Sequence, residues 1–515
     1  MEENCEWTIG VIIMGSDRTK KSVNNILIGF LNQFVNLILG FISRSVFIRF
    51  LGVELLGVNG LFCDVLSLLS MADLGFNTAM AYSFYKPISE NDEKKISALI
   101  TFYKKIYNII ALTITIIGLS LIPFLDLIIN TDKDIPFLEV YYLFSLAGVV
   151  ISYLFIYKTA IITADQKNYV VTRITIVVNF IKTIVQILLL IIFKNYILYL
   201  AVNLLCNFLN NYIASRKAVK LYPYINNKNI LSKEDRKSIF ENMKSIFLFK
   251  LSAMLLNATD NTIISVLIGT IAVGYYSNYL MITNKVISII QIIFRALTAS
   301  IGNLVIKEDS KKRYEIFRAS QSVSFIICGI IVTCFSVLIN DFINIWLGKE
   351  FVFDYSVVLA ISFNMYLSCV LQPLWTYREA TGLYVRTKYV MLIAAIVNLV
   401  LSIILGKILG IGGILLASAI ARLSTYFWYE PLLLFKEYFE KPVRNYYIPI
   451  FINVIIMVFT IILFNKVSFA IKVTSWVTLI IKAVFCAMGT SIVFFVIYSR
   501  SEGVKVILNK VKNLK

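Results

Sequence analysis

Arg44, Lys250, Lys285 and Arg295 stand inside long apolar blocks of the sequence, as do the acids Asp73 and Asp260. A charge near the centre of a bilayer costs about 2.5–3.5 kcal/mol on insertion scales, so each of these residues needs a reason. Four bases in such a setting can hold an anionic group, and arginine grips a phosphate bidentately. For Asp260 two roles stand. It neutralises Arg44 or Arg295 in a buried pair, or it serves as a buried acid that takes up and releases a cation. Asp73 has the same two options.

Polar neighbours share helix faces with these charges. Asn25, Gly29, Asn32, Asn36, Gly40 and Ser43 follow one another in steps of 4, 3, 4, 4 and 3 residues, one face of a helix that also carries Arg44 just off the stripe. Ser70, Asp73 and Asn77 share a second face; Lys250, Asn257 and Asp260 with Asn261 lie on a third segment; Asn278, Lys285 and Arg295 lie on a fourth. Asn32, Asn36 and Asn257 are therefore candidate binding residues beside the bases. Small residues and asparagines also serve plain helix–helix packing, and that reading stays open for the stripe.

Other chemistry is excluded by composition. The chain has no histidine, which removes imidazole catalysis and His-ligated zinc. Its seven cysteines are scattered without a Cys-x-x-Cys pair and read as small core residues. No metal or organic cofactor is expected.

The elements that must position these residues are membrane spans. Of 515 residues 59% are hydrophobic and 15% charged, with mean hydropathy +0.80, where a soluble protein carries about 25% charged residues. A helix needs about 20 mostly apolar residues to cross the hydrocarbon core. Blocks of that kind recur at 25–48, 61–83, 106–125, 140–162, 174–193, 196–215, 245–268, 275–300, 319–340, 355–377, 389–406, 411–434, 447–465 and 475–498. The fold expected is all-α and integral to the membrane, with about 14 spans.

Charge sets the orientation. With the N-terminus inside, 34 Lys and Arg fall on the cytoplasmic side and 7 on the outer side, as the positive-inside rule requires. Both termini are then cytoplasmic. The net charge of +19 is spread over these short loop clusters, which argues against nucleic acid as a partner. No signal peptide is apparent, and Met14 offers a second start besides Met1. Elsewhere, Lys182 and Lys482 read as snorkelling or packing bases, Arg422 and Glu430 as a structural pair or second polar seam, and Asp64 as an acid at the outer interface.

The chain repeats itself. Gly52-x4-Gly57 recurs as Gly269-x4-Gly274, and Asn91-Asp92-Glu93-Lys94-Lys95 as Glu308-Asp309-Ser310-Lys311-Lys312, both at an offset of 217; Val178-Asn179 aligns with Val397-Asn398 after a drift of two. Six spans per repeat is even, so two lobes of like orientation are expected, related by a pseudo-twofold axis along the membrane normal around a cavity. The domains expected are a cytoplasmic segment 1–24, an N-lobe 25–215, a cytoplasmic linker 216–244, a C-lobe 245–434, two extra spans in 435–498, and a basic tail 499–515. The tail has the pattern of a surface-lying amphipathic helix.

From Leu51 to Tyr107 the sequence holds a Leu-Gly-x-x-x-Leu-Gly-x-Asn-Gly-Leu-Phe turn, a Leu-Ser-x-x-Asp-Leu-Gly helix with its acid at Asp73, and a Tyr-Lys-Pro loop before Asp92; Glu379-Ala-Thr-Gly-Leu-Tyr is a weaker echo. This resembles the polysaccharide flippases of the Wzx type, in the superfamily that also holds multidrug (MATE) exporters and peptidoglycan-precursor flippases. The resemblance implies an undecaprenyl-pyrophosphate-linked oligosaccharide as cargo, moved across a bacterial cytoplasmic membrane by alternating access for capsule or a related polymer. It also implies membrane lipids, a polysaccharide polymerase and glycosyltransferases as partners, and transport driven by a proton or sodium gradient. Arg44, Lys250, Lys285 and Arg295 outnumber Asp73 and Asp260, which suits a pyrophosphate better than a cationic drug. A multidrug or other lipid-linked-precursor exporter is the alternative. An enzyme is disfavoured by the short outer loops.

Overall fold

The computed structural model describes residues 17–70, 80, 83–84, 86–88, 90–130, 135–227, 229–237, 239, 251–252, 255 and 259–506. Regular structure among them is helical, and no strand occurs. In hydrocarbon the backbone must satisfy its own hydrogen bonds, which leaves helices or a closed barrel as spanning elements. Ten of the described helices are long and apolar enough to cross a membrane, eleven when one bent pair counts as a span. Their outer faces carry exposed large apolar side chains such as Ile192, Phe451 and Val477. Water would drive such faces together, whereas lipid solvates them. The chain is a multi-pass membrane protein.

Two compact units divide it, Met1–Gly274 and Tyr275–Lys515. The first contains α1 (Asp17–Leu69), α2 (Glu93–Ser120), α3 (Leu138–Tyr153), α4 (Ile156–Ala164), α5 (Asn168–Phe193), α6 (Tyr196–Leu221) and α7 (Asp260–Leu267). A break at Gly52, with φ 86° and ψ 167°, splits α1, so one helix serves as the first expected span and the start of the second. Only glycine adopts that φ without strain. The fourth expected span is broken: α3 and α4 meet at 51° across Leu154 and Phe155. Lys194 and Asn195, which alone separate the fifth and sixth spans, suffice. Lys194 closes α5 in a left-handed conformation, and the Asn195 side chain accepts the Ile197 and Leu198 N–H groups that open α6. Within this unit α1 packs along α5, α5 on α6, and α3 on α6.

The basic linker is tied down. Lys95 bridges Asp235 at 3.1 Å, the Ser97 hydroxyl donates to the Asn227 carbonyl, and the Tyr222 hydroxyl donates to Asp165 at 2.6 Å. Lys167 completes a small cluster by pairing with Asp165 at 2.7 Å.

The second unit is built from α8 (Thr270–Lys307, which opens in the last residues of the first unit), α9 (Ser310–Trp346), α10 (Tyr355–Val370), α11 (Gln372–Thr381), α12 (Tyr384–Ser424), α13 (Tyr426–Leu434), α14 (Arg444–Ser468) and α15 (Trp476–Tyr498). Here α9 packs against α10, α14 and α15. Glycines admit the close approaches: a Cβ on Gly329 would come within 2.0 Å of Phe494, and one on Gly489 within 2.5 Å of Phe464. Gly410, at φ 61°, breaks α12 into the eleventh and twelfth expected spans. Divided at Gly52 and Gly410, the described helices fall on every expected span but the seventh, 245–268, which is described only in part, as is the second, 61–83, continuous only to Ser70. The tail begins as a helix over 502–506 and docks on α9, where a Cβ on Gly503 would sit 2.3 Å from the Arg318 carbonyl.

The repeat is visible in the helix starts. Asp92 caps α2 by accepting the Lys95 N–H at 2.9 Å; its mate Asp309 caps α9 by accepting the Lys312 N–H at 2.9 Å. Sequence spacing alone had set these two loops side by side, and each is an N-cap.

Candidate functional site

The two glycine motifs meet each other. Gly269, at φ 132°, ends α7 as Gly52 breaks α1. Five residues beyond each, the helices touch backbone to backbone: a Cβ on Gly57 would lie 2.2 Å from the Thr270 carbonyl oxygen, and one on Gly274 would lie 2.4 Å from the Val53 carbonyl oxygen. Val53 and Thr270 are repeat mates, and so are Gly57 and Gly274. The contact is therefore reciprocal, each motif offering its glycine to the other's carbonyl, as across a local twofold axis. Thr270 is fully buried; its N–H donates to Asn130 at 2.8 Å, and its hydroxyl bonds with Ser265 at 2.9 Å.

Two turns past Gly57, Asp64 is brought to α7. Its carboxylate is hydrogen-bonded to Asn261 and lies close enough to Asp260 to feel its charge. Asn261 is buried, and its Oδ1 has no hydrogen-bond partner. Two acids thus gather on a buried amide in the first unit. Asp260 was a sequence candidate and Asp64 was not, because an acid at a span's end is ordinary. Only the packing of α1 on α7 singles it out.

Arg44 sits half-buried further back on α1, against Tyr199 and Cys63. Tyr199 also bonds Ser43 of the polar stripe. Phe47 packs edge-on against Tyr196 and Tyr199 at 5.6 and 5.1 Å, and the Tyr196 hydroxyl donates to Asn59. The asparagines of the stripe hold α1 to α5. Asn25 accepts the Tyr169 N–H at 2.7 Å and donates to the Gln166 carbonyl at 2.8 Å; Asn36 donates to Asn32 at 2.7 Å and accepts from Asn179 at 3.2 Å. Asp73, Asn77, Lys250 and Asn257 lie outside the described residues.

In the second unit Asn278 is fully buried on α8, Lys285 is half-buried seven residues on, and the Arg295 guanidinium is exposed, 3.5 Å from Gln291 one turn before it. Other charges are settled differently from the sequence reading. Glu430 pairs with Arg378 at 2.7 Å, not with Arg422, which donates to Ser368 at 2.8 Å. Of the two readings of Lys482, snorkelling or packing on a neighbour, the second holds: it pairs with Asp341 of α9 at 2.7 Å. Asp341 and Arg378 each fall one residue beyond an expected span, 319–340 and 355–377, and sequence hydropathy does not reveal that a helix end folds inward. Lys182 donates to Asn203 at 3.3 Å on the neighbouring helix α6.

A family model described as polysaccharide biosynthesis protein matches residues 46–353, more than half of the chain. The chain belongs to this family. The matched stretch of this polysaccharide biosynthesis protein includes both glycine motifs, both acids of the cluster, Lys285 and Arg295, and begins two residues after Arg44. No curated protein matches the chain. Among solved structures, the lipid II flippase MurJ in an inward closed conformation aligns over 92% of this chain and 99% of its own, with TM-score 0.68 and 14% identity. An inward-facing multidrug resistance MATE family transporter of the MOP superfamily aligns over 79% and 97%, with TM-score 0.58 and 16% identity. An outward-facing conformation of such a transporter aligns over 82% and 97%, with TM-score 0.55 and 15% identity. The polysaccharide biosynthesis protein thus has the fold of membrane transporters of the multidrug/oligosaccharidyl-lipid/polysaccharide exporter superfamily.

Proposed function

We propose that this protein flips undecaprenyl-pyrophosphate-linked oligosaccharide repeat units from the cytoplasmic to the outer leaflet of a bacterial cytoplasmic membrane, for capsule or another surface polysaccharide. The observation that carries the reading is the family match over residues 46–353, joined to the fold it shares with a lipid II flippase. On this reading the protein is a transporter and not an enzyme. The cargo's pyrophosphate is held in a cationic cavity by Arg44, Lys250, Lys285 and Arg295, with Asn32, Asn36 and Asn257 as further polar contacts. Arginine suits this role because its planar fork matches phosphate oxygens bidentately. The lipid tail stays in the bilayer while the protein alternates its access. Glycosyltransferases that build the unit and a polymerase that consumes it are the partners implied.

Coupling to a proton or sodium gradient falls to Asp260 with Asp64, and to Asp73. A carboxylate held beside a second carboxylate gains from binding a cation, and that gain must differ between the two access states to drive transport. The reciprocal glycine contact supports a moving joint there: carbonyls and the methyl groups of Val53 and Thr270 rest on bare glycines, and such a contact can part and close again without stranding a charge.

The deciding experiment follows polymer and intermediate together. Arg44→Ala and Arg295→Ala should abolish surface polymer and let lipid-linked repeat units accumulate, with the protein still in the membrane; Arg→Lys should rescue partly. Normal polymer in both alanine variants would sink the cargo site. Altered sensitivity to cationic drugs with unchanged polymer would favour a multidrug exporter instead. Orientation has its own test: cysteines replacing Lys349 or Lys466 should label from outside, and ones replacing Lys95 or Lys311 only after the membrane is opened.

A further inference from the structure

The turn between α13 and α14 borders an open cleft of about 470 Å³, lined by Leu432, Phe435, Lys436, Glu440, Lys441 and Val443. It arises because α13 does not stop cleanly. The chain widens into one π-helical turn, Phe435–Phe439, then reverses at Glu440 in a left-handed conformation, and the Lys441 N–H donates back to the Phe435 carbonyl. Such turns occur mostly as local insertions and often at functional sites. Phe435 is fully buried and forms the floor, while both lysines stand at the exposed rim.

The charge around this cavity is mostly positive. Glu437, the nearest acid outside it, is gripped bidentately by Arg386 at 2.6 and 2.7 Å, and Glu440 accepts from Ser310 at 3.3 Å. Against the single carboxylate of Glu440, Lys436, Lys441 and Arg444 leave a surplus of positive charge on this turn. The opening lies at a membrane boundary, since the helices on either side, ending at Phe439 and starting at Arg444, are both long and apolar enough to span. Away from the turn these helices expose large apolar side chains, Leu432 and Trp428 on α13 and Ile448 and Phe451 on α14.

We propose that this cavity is a binding site for an anionic phospholipid. Its phosphate sits between Lys436 and Lys441, and its acyl chains run along the faces marked by Leu432, Trp428, Ile448 and Phe451. A basic pocket opening onto apolar helix faces matches a headgroup joined to its tails, whereas a soluble anion would use the charge alone. The proposal rests on the multi-pass fold and not on the identity of the cargo.

The test uses the full-length protein reconstituted in vesicles of phosphatidylcholine with increasing phosphatidylglycerol, either lipid carrying brominated chains. Brominated phosphatidylglycerol should quench tryptophan fluorescence more strongly than the brominated neutral lipid. Trp428→Phe should remove that difference. A lysine near a membrane surface contributes about a fivefold preference for anionic lipid, so Lys436→Gln with Lys441→Gln should lower the preference about thirtyfold, and each single substitution about fivefold. These are exposed side chains, so folding should be retained; if the double variant is lost, the singles still carry the test. An unchanged preference in the lysine variants would overturn the proposal. So would equal protection of the site by inorganic phosphate, which would make it a soluble-anion site. Polymer export is scored separately, so failure of the cargo reading leaves this result standing.

Discussion

The glycine contact of the first unit and the Arg378–Glu430 region of the second hold helices together by opposite means. In the first, Gly57 and Gly274 present bare backbone to the carbonyls of Thr270 and Val53. In the second, a buried ion pair at 2.7 Å lies beside Trp375, 5.7 Å from the Arg378 guanidinium, and near it Tyr377, Phe435, Phe439 and Tyr446 pack edge-on or tilted around Phe317 with ring centroids 5.0–6.2 Å apart. A contact of glycines with carbonyls and methyl groups can separate without stranding a charge. A buried charge pair cannot part without stranding a charge in low dielectric. The difference points to where such a protein can flex and where it must stay rigid.

The largest expected effect breaks the rigid side of that comparison. Arg378→Ala should lower stability by about 3–5 kcal/mol, since it leaves Glu430 charged and buried. Replacing both, as Arg378→Met with Glu430→Leu, should recover most of it. Thermal unfolding in detergent measures this, and an undiminished melting temperature in Arg378→Ala would show the pair to be ornamental.

Next comes the flexible side. Gly57→Ala or Gly274→Ala should each cost about 1–3 kcal/mol by forcing carbonyls out of van der Waals overlap. One separation relieves both clashes, so the double variant should cost clearly less than the sum of the singles. Strict additivity would mean the two contacts are independent and the reciprocal joint is not one device.

Asp260 sharpens the same comparison. Beside Asp64 its removal should relieve like-charge repulsion, so Asp260→Asn is expected to keep its abundance while losing export. Reduced abundance, restored by neutralising Arg44, Lys250 or Arg295, would return Asp260 to the role of structural partner.

The smallest effect is at the linker. The Lys95–Asp235 bridge is about two-fifths exposed on both sides, and Lys95→Ala should cost no more than about 0.5 kcal/mol. Burial pushes the Asp235 carboxyl up, but the hydrogen bonds from Lys95 and Ser232 outweigh it and hold the group below its ordinary value. A depressed carboxylate stabilises above its unfolded-state pKa, so this tether should weaken only as pH falls below the carboxylate range. Hydrogen exchange of residues 229–237 across pH is the measurement.

Much of this was legible in the sequence where a one-dimensional pattern carries the information. Long apolar blocks fix the solvent, because each must find hydrocarbon or another helix. The offset of 217 paired Gly52 with Gly269 and Asp92 with Asp309, and a glycine at a forced left-handed turn or an aspartate at a helix start does its work through its own backbone. Local chemistry of that kind does not wait for the fold. The stripe of Asn25, Asn32 and Asn36 was equally readable as a face, though not its partner, α5.

Partners were decided by the tertiary structure alone. Nothing in the spacing says that Gly57 meets Thr270 and not its own repeat mate, that Glu430 reaches back to Arg378, or that Lys482 finds Asp341. Hydropathy reads each helix against a uniform solvent, so a charge at a helix end counts as loop until a neighbour closes over it. Which neighbour does so depends on helix breaks such as Gly52 and Gly410 and on the few small residues that allow close approach. Those are properties of two surfaces together, and a single strand of sequence carries only one of them at a time.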